Sequence, residues 1–210
     1  MKKIIAICTL LICIATTHAQ NIETFDSNKY GWIETVKKNG SAIITEGVMR
    51  LECNVTLADL INQTPLSERT MQTSCYAPFD PKQNFTFKCT AIAKKLNANG
   101  SFGLIFNYMD DYNYSAFYIG RLPLQKNAVV IYQRVVDNEI VGQRISDLKL
   151  NSKKNVEFKF ELRSMFDRLE FYSNEMKIME VRYNPIEYSG IGFGVYGEQT
   201  VDFDNVEFIQ

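Results

Sequence analysis

Tyr114, Tyr118, Tyr132 and Tyr196 recur on apolar runs, with Asn107 and Arg134 nearby in the chain. A phenol offers a flat apolar face and a hydroxyl, while an amide or a guanidinium offers directional donors. That combination suits a ligand built of polyhydroxylated rings, whose faces stack and whose hydroxyls take hydrogen bonds. Alternation with period two places Tyr114, Tyr118, Tyr132, Arg134 and Tyr196 on strand faces opposite Phe117, Ile131 or Val135, and Phe193. Gly192 and Gly194 keep the floor of such a face low enough for a ligand to approach. The expected ligand-binding set is therefore Asn107, Tyr114, Tyr118, Tyr132, Arg134 and Tyr196. A plainer reading stands beside it, in which the tyrosines cover a sheet and hold their hydroxyls at the surface.

Other chemistries are narrowed by composition. The chain of 210 residues has one histidine, His18, which falls in the N-terminal leader described next. Without it there is no imidazole for a catalytic triad, a zinc site or a histidine base. Catalysis would have to use carboxylates, Tyr, Lys, Arg or a metal held by oxygen. Asp110, Asp111 and Asn113, or Asp202 and Asp204 with Asp26, carry oxygen ligands suited to a structural calcium ion. Asp and Asn opening a hairpin account for the first cluster with no ion at all, and no other cofactor is expected.

The leader reads MKKIIAICTLLICIATTHAQ: Lys2 and Lys3, an apolar run from Ile4 to Ala15, then small residues up to Ala19. This is the pattern of a secretory signal peptide cleaved after Ala19, and the run is too short to span a bilayer. The expectation is an exported, secreted or periplasmic protein with residues 20–210 as one domain. Lys plus Arg number 23 against 24 Asp plus Glu over the whole chain, and losing two lysines leaves a mildly acidic remainder. With no basic run, binding to nucleic acid or an anionic membrane is not expected. Of five cysteines, Cys53, Cys75 and Cys89 follow the leader. In an oxidising compartment Cys53 and Cys75, on consecutive strand candidates, form the favoured disulfide, and three buried thiols are the alternative.

The elements that must position these residues are strands. Ser101 to Gly120 reads as a complete hairpin, apolar on both faces of both strands, and so belongs in the middle of a layered structure. Val48 to Val55, Thr70 to Tyr76, Phe85 to Ala93, Ala128 to Val136 and Ile140 to Ile145 alternate as further strands. Val156 to Arg163 is the most regular, pairing with Arg168 to Tyr172 across a short turn, and Met176 to Val181 follows. Leu57 to Glu68 has some helical character but is cut by Pro65 and reads as a long loop. Val201 to Phe208 changes phase near Asp204 and Asn205, as a bulge requires. About a dozen short strands with turns every ten residues or so predict an all-β, two-sheet antiparallel jelly-roll sandwich.

Four motifs carry a family resemblance. A lead-in with aspartate, glycine and tryptophan is followed by Glu46-Gly47-Val48-Met49-Arg50-Leu51. Then come Phe102-Gly103-Leu104-Ile105-Phe106 with Asp111-Tyr112-Asn113-Tyr114 and Phe117, and Ile191-Gly192-Phe193-Gly194-Val195 with Phe203-Asp204-Asn205-Val206. The chain resembles the concanavalin A-like lectin/glucanase superfamily, closest to the laminin G-like and 3-keto-disaccharide hydrolase domain-like jelly rolls of exported bacterial proteins. The resemblance implies the fold and a carbohydrate or polysaccharide as ligand class, and leaves sugar binding, glycoside cleavage and adhesion to another exported protein as alternatives. Family 16-type glucanases of this superfamily place Glu-x-Asp-x(-x)-Glu on one strand. Here Glu157, Lys159 and Glu161 put a lysine at the middle position, and Asp202, Asp204 and Glu207 lie on the closing strand. Neither set is an intact motif, so a lectin-like module is the expectation and a glycoside hydrolase its rival.

Overall fold

The computed structural model describes residues 21–62, 64–76, 78–94, 97–121, 127–148 and 156–210. The leader and its cleavage point after Ala19 lie outside the described residues. Among the described residues no helix is long and apolar enough to cross a membrane.

Among the described residues fifteen strands follow one another: β1 (Asn21–Glu23), β2 (Thr35–Lys37), β3 (Gly40–Thr45), β4 (Val48–Cys53), β5 (Thr70–Tyr76), β6 (Phe85–Ala93), β7 (Ser101–Asp110) and β8 (Asn113–Gly120), then β9 (Ala128–Val136), β10 (Glu139–Leu148), β11 (Val156–Met165), β12 (Arg168–Ser173), β13 (Met176–Arg182), β14 (Gly190–Tyr196) and β15 (Gln199–Ile209). They form two antiparallel sheets. One is nine-stranded in the order β13-β12-β11-β6-β15-β4-β3-β2, with β1 also paired to β15; the other is six-stranded in the order β10-β9-β8-β7-β14-β5. The hairpin β7–β8 sits in the middle of the second sheet, where strands apolar on both faces belong.

The interior between the sheets is aromatic. Phe193 of the six-stranded sheet stacks on Phe203 of the other at 4.2 Å and on Trp32 at 4.9 Å. Phe117 stacks on Phe171 at 5.0 Å, and Phe102 meets Phe158 edge-on at 5.4 Å. Each buried ring contributes roughly 1.5–3 kcal/mol of transfer energy, and each pair about 0.5–1.5 kcal/mol more. All but the Phe193–Phe203 pair are long-range in sequence, and together these contacts fix how the two sheets face each other.

The strand pattern is as expected, including the phase change in β15. Its register shifts between Asp204 and Glu207, and Asn205 has φ 51°. Two departures are local. Leu57–Ile61 forms a short helix, α1, because Thr56 and Asp59 make a capping box at its start. The chain also holds β1 and β2 ahead of the expected strands, both of three residues and too short for alternation to register.

The Cys53–Cys75 disulfide is corrected. Cys53, Cys75 and Cys89 are all free and buried. Consecutive strands in the chain prove to be in different sheets: Cys53 in β4 pairs with Gln199, and Cys75 in β5 pairs with Ile191. The Cys53 thiol donates instead to the Arg69 carbonyl at 3.5 Å.

Candidate ligand-binding site

At one end of the sandwich the ladder between β7 and β8 is interrupted. The register shifts between Phe106 and Asp110, and Asn107 takes φ 50°. The Asn107 amide then bridges to the loop after β13, donating to the Asn184 carbonyl at 2.9 Å and accepting from Ile186 N at 3.3 Å. Asp110 closes the hairpin by accepting from Tyr112 N at 2.8 Å and Asn113 Nδ2 at 3.0 Å, and Asn113 Oδ1 accepts from Asp137 N at 3.1 Å. Three loops are thereby tied around a cavity of about 490 Å³ whose walls include Asn107, Tyr132, Arg134, Arg182, Tyr183 and Asn184.

Four of the six expected residues, Asn107, Tyr114, Tyr132 and Arg134, line this cavity, but the six do not share a face. Tyr132 lies opposite Phe117 in the β8–β9 ladder, with ring centroids 5.4 Å apart, on the side turned to the other sheet. Arg134, two residues on, shares that side. Tyr114, Tyr118 and Tyr196 stand on the opposite side, against a second apolar cluster that includes Ile105, Ala116, Val129 and Ile131. The expectation of one continuous tyrosine platform is therefore corrected. Alternation fixes faces within a strand, whereas only pairing decides which faces of neighbouring strands are shared.

The second face is packed. Tyr114 and Tyr118 are buried, and a Cβ at Gly194 would fall 2.4 Å from Tyr118 Oη. The glycine makes room for the Tyr118 ring, so the low floor expected for a ligand is filled from within. Tyr114 Oη, Tyr118 Oη, Gln133 Nε2 and both ends of Gln72 are buried close to one another without a well-formed hydrogen bond. Burial pushes the Tyr114 phenol up to about 12; it also raises Tyr118 well above its ordinary value, helped by the neighbouring Tyr114.

The carboxylates considered for catalysis or calcium have other partners. Glu161 holds Arg163 through two hydrogen bonds, Asp202 holds Arg50 in the same way, and Glu207 pairs with Lys88 at 3.2 Å. Asp204 accepts from Asn205 N, Asp26 from Thr24 Oγ1, and Asp111 from Tyr108 Oη and Lys37. Phe158, Phe160 and Leu162 on β11 are buried while Glu157 and Lys159 are exposed, so that first acidic set lies on the solvent face of the nine-stranded sheet. Among the described residues no group of three or more His, Cys, Asp or Glu is placed to hold a metal ion.

Sequence reasoning missed two tyrosines. Tyr76 is 78% exposed and Tyr188 is 85% exposed. Together they border a cavity of about 160 Å³, whose wall also includes Met109, and one of about 490 Å³ beside the Lys82–Glu187 ion pair. Met109 belongs to the hairpin-end cavity as well, so the three hollows adjoin. Tyr76 ends its strand and Tyr188 follows a proline loop, places where alternation carries no signal.

No family model matches the chain, and no curated protein matches it by sequence. Solved structures do match in shape. A carbohydrate-binding module, CBM66, from Bacillus subtilis superposes with TM-score 0.58 at 15% identity, covering 86% of this chain and 96% of that one. A Bacillus licheniformis beta-glucanase gives 0.57 at 10% identity, over 91% and 98%. A xyloglucan-locus GH43B protein of Bacteroides ovatus gives 0.55 at 16%, with 89% of this chain matching 38% of that one. At such identities the likeness is one of fold, and with the two stacked antiparallel sheets it shows this protein to be an all-β, two-sheet antiparallel jelly-roll sandwich.

Proposed function

We propose that this is an exported carbohydrate-recognition domain that takes one sugar of a polysaccharide in the hairpin-end cavity and its neighbours along the Tyr188–Tyr76 ridge. The observation that carries the reading is the cavity of about 490 Å³ in which a half-buried tyrosine, two arginines and three asparagines meet. A ring face for stacking beside convergent amides is what a hydroxylated ring requires. The secretory leader and the fold shared with a carbohydrate-binding module and a beta-glucanase support it. Binding is favoured over cleavage by the acid content of the cavity. Its lining has one carboxylate, Asp110, already engaged by Tyr112 N and Asn113, whereas glycoside cleavage ordinarily takes a facing pair.

Calorimetric titration of the purified protein with oligosaccharides of increasing length tests this. Affinity is expected to rise with length and then level off. Tyr76→Ala with Tyr188→Ala, at exposed positions, weakens long chains by about fivefold per ring if each stacks with roughly 1 kcal/mol, and leaves the shortest ligand unaffected. No heat with any glycan across a broad panel, or release of reducing ends from them, overturns the reading.

A further inference from the structure

We infer that the hairpin-end cavity selects sugars bearing a carboxylate, of the uronic acid class, through Arg134 and Arg182. This rests on the carbohydrate reading above and adds the charge of the ligand. Both arginines line the cavity, and among the described residues neither guanidinium pairs with a carboxylate. Asp110 is the one acid in the lining, and its oxygens are held by the hairpin. The cavity therefore has a net positive wall in a protein whose chain as a whole carries formal charge −1.

Arg182 is placed there at a cost. It lies directly opposite Arg168 in the β12–β13 ladder, and like charges in that relation destabilise a sheet. Arg168 is relieved by Glu180 at 2.7 Å, whereas Arg182 is not. On the other wall, Arg134 pairs in register with Gly142 of β10, so no side chain stands directly opposite it on that strand. A planar guanidinium presents parallel N–H donors that match a carboxylate's two oxygens. Tyr132 beside Arg134 offers its ring to the sugar face, while the exposed Asn184 remains for hydroxyls.

The test compares oligogalacturonate and oligomannuronate with their methyl-esterified forms by calorimetry, using wild type and the Arg134→Gln, Arg182→Gln double variant. Ester formation removes the charge and keeps the sugar skeleton. The expected result is at least about tenfold tighter binding of one free acid over its ester, weakening with added salt. That preference is lost in the double variant, whose melting temperature stays at the wild-type value or rises as the Arg168–Arg182 repulsion is relieved. Equal affinity for acid and ester overturns the carboxylate assignment while leaving sugar binding intact, as does an acid preference that survives the double substitution or tighter binding of a sulfated glycan. Absence of binding to these and to neutral glycans alike defeats both readings.

Discussion

Tyr118 is enclosed by its own sheet, with its ring lying over Gly194 and its hydroxyl buried beside Tyr114 and Gln72 without a well-formed hydrogen bond. A buried donor without an acceptor costs about 1–3 kcal/mol, so deleting the hydroxyl is expected to be neutral or stabilising. Tyr118→Phe should hold or raise the midpoint of urea unfolding. A drop of more than about 1 kcal/mol would mean that the hydroxyl is satisfied by ordered water. The same residue shows the limit of reading side-chain roles from types. A tyrosine within an apolar run has the same local pattern whether its ring meets a ligand or a glycine. Arg182, by contrast, sits at the end of a strand with no pattern pointing to it, and its place beside Arg134 depends on the ends of two different sheets.

Strand β14 illustrates how an element carries its constraints. Its glycines alternate with Ile191, Phe193 and Val195, which are buried between the sheets. The glycines themselves differ in what they avoid. A Cβ on Gly192 would lie 2.1 Å from the Thr73 carbonyl of the neighbouring strand, whereas one on Gly194 meets the far end of the Tyr118 side chain. Backbone paired in a ladder cannot retreat as a phenol can. Gly192→Ala should lose about 1–3 kcal/mol in denaturant titration, and Gly194→Ala less; the reverse order would show that β5 gives way more readily than Tyr118. Elements of six residues or more were legible from alternation, and the bulge in β15 from its phase change. The three-residue strands and α1 were not, since fewer than two periods, or a single capped turn, leave too little pattern to distinguish from loop.

The whole molecule buries several groups that can lose protons only at high pH. Burial pushes the Cys53 thiol from its ordinary 9.0 to about 11 and the Tyr114 phenol from 10.0 to about 12. Desolvation likewise raises Cys75, Cys89, Tyr108 and Tyr118. In each case the folded state holds its proton more tightly than the unfolded chain. Their contribution to stability is thus complete below about pH 9 and is lost as pH climbs towards 12. Equilibrium unfolding followed between pH 8 and 12 should show a steep alkaline decline, with the absorbance of the buried tyrosines as tyrosinate appearing together with loss of structure. Tyrosinate forming at Tyr114 well before unfolding would contradict the packing described for that face.

Residue types along the chain determined that this protein is a sheet sandwich, where its longer strands run, and that histidine-dependent chemistry is excluded from residues 20–210. They also pointed to Asn107, Tyr132 and Arg134. Tertiary structure decided that Tyr114, Tyr118 and Tyr196 face away from Tyr132, that Cys53 and Cys75 lie in separate sheets, and that Arg182 and Asn184 join the cavity. The physical reason is that period-two alternation leaves the two sides of a strand equivalent. Only contacts between distant segments, such as Tyr132 with Phe117 or Phe117 with Phe171, choose which side is interior.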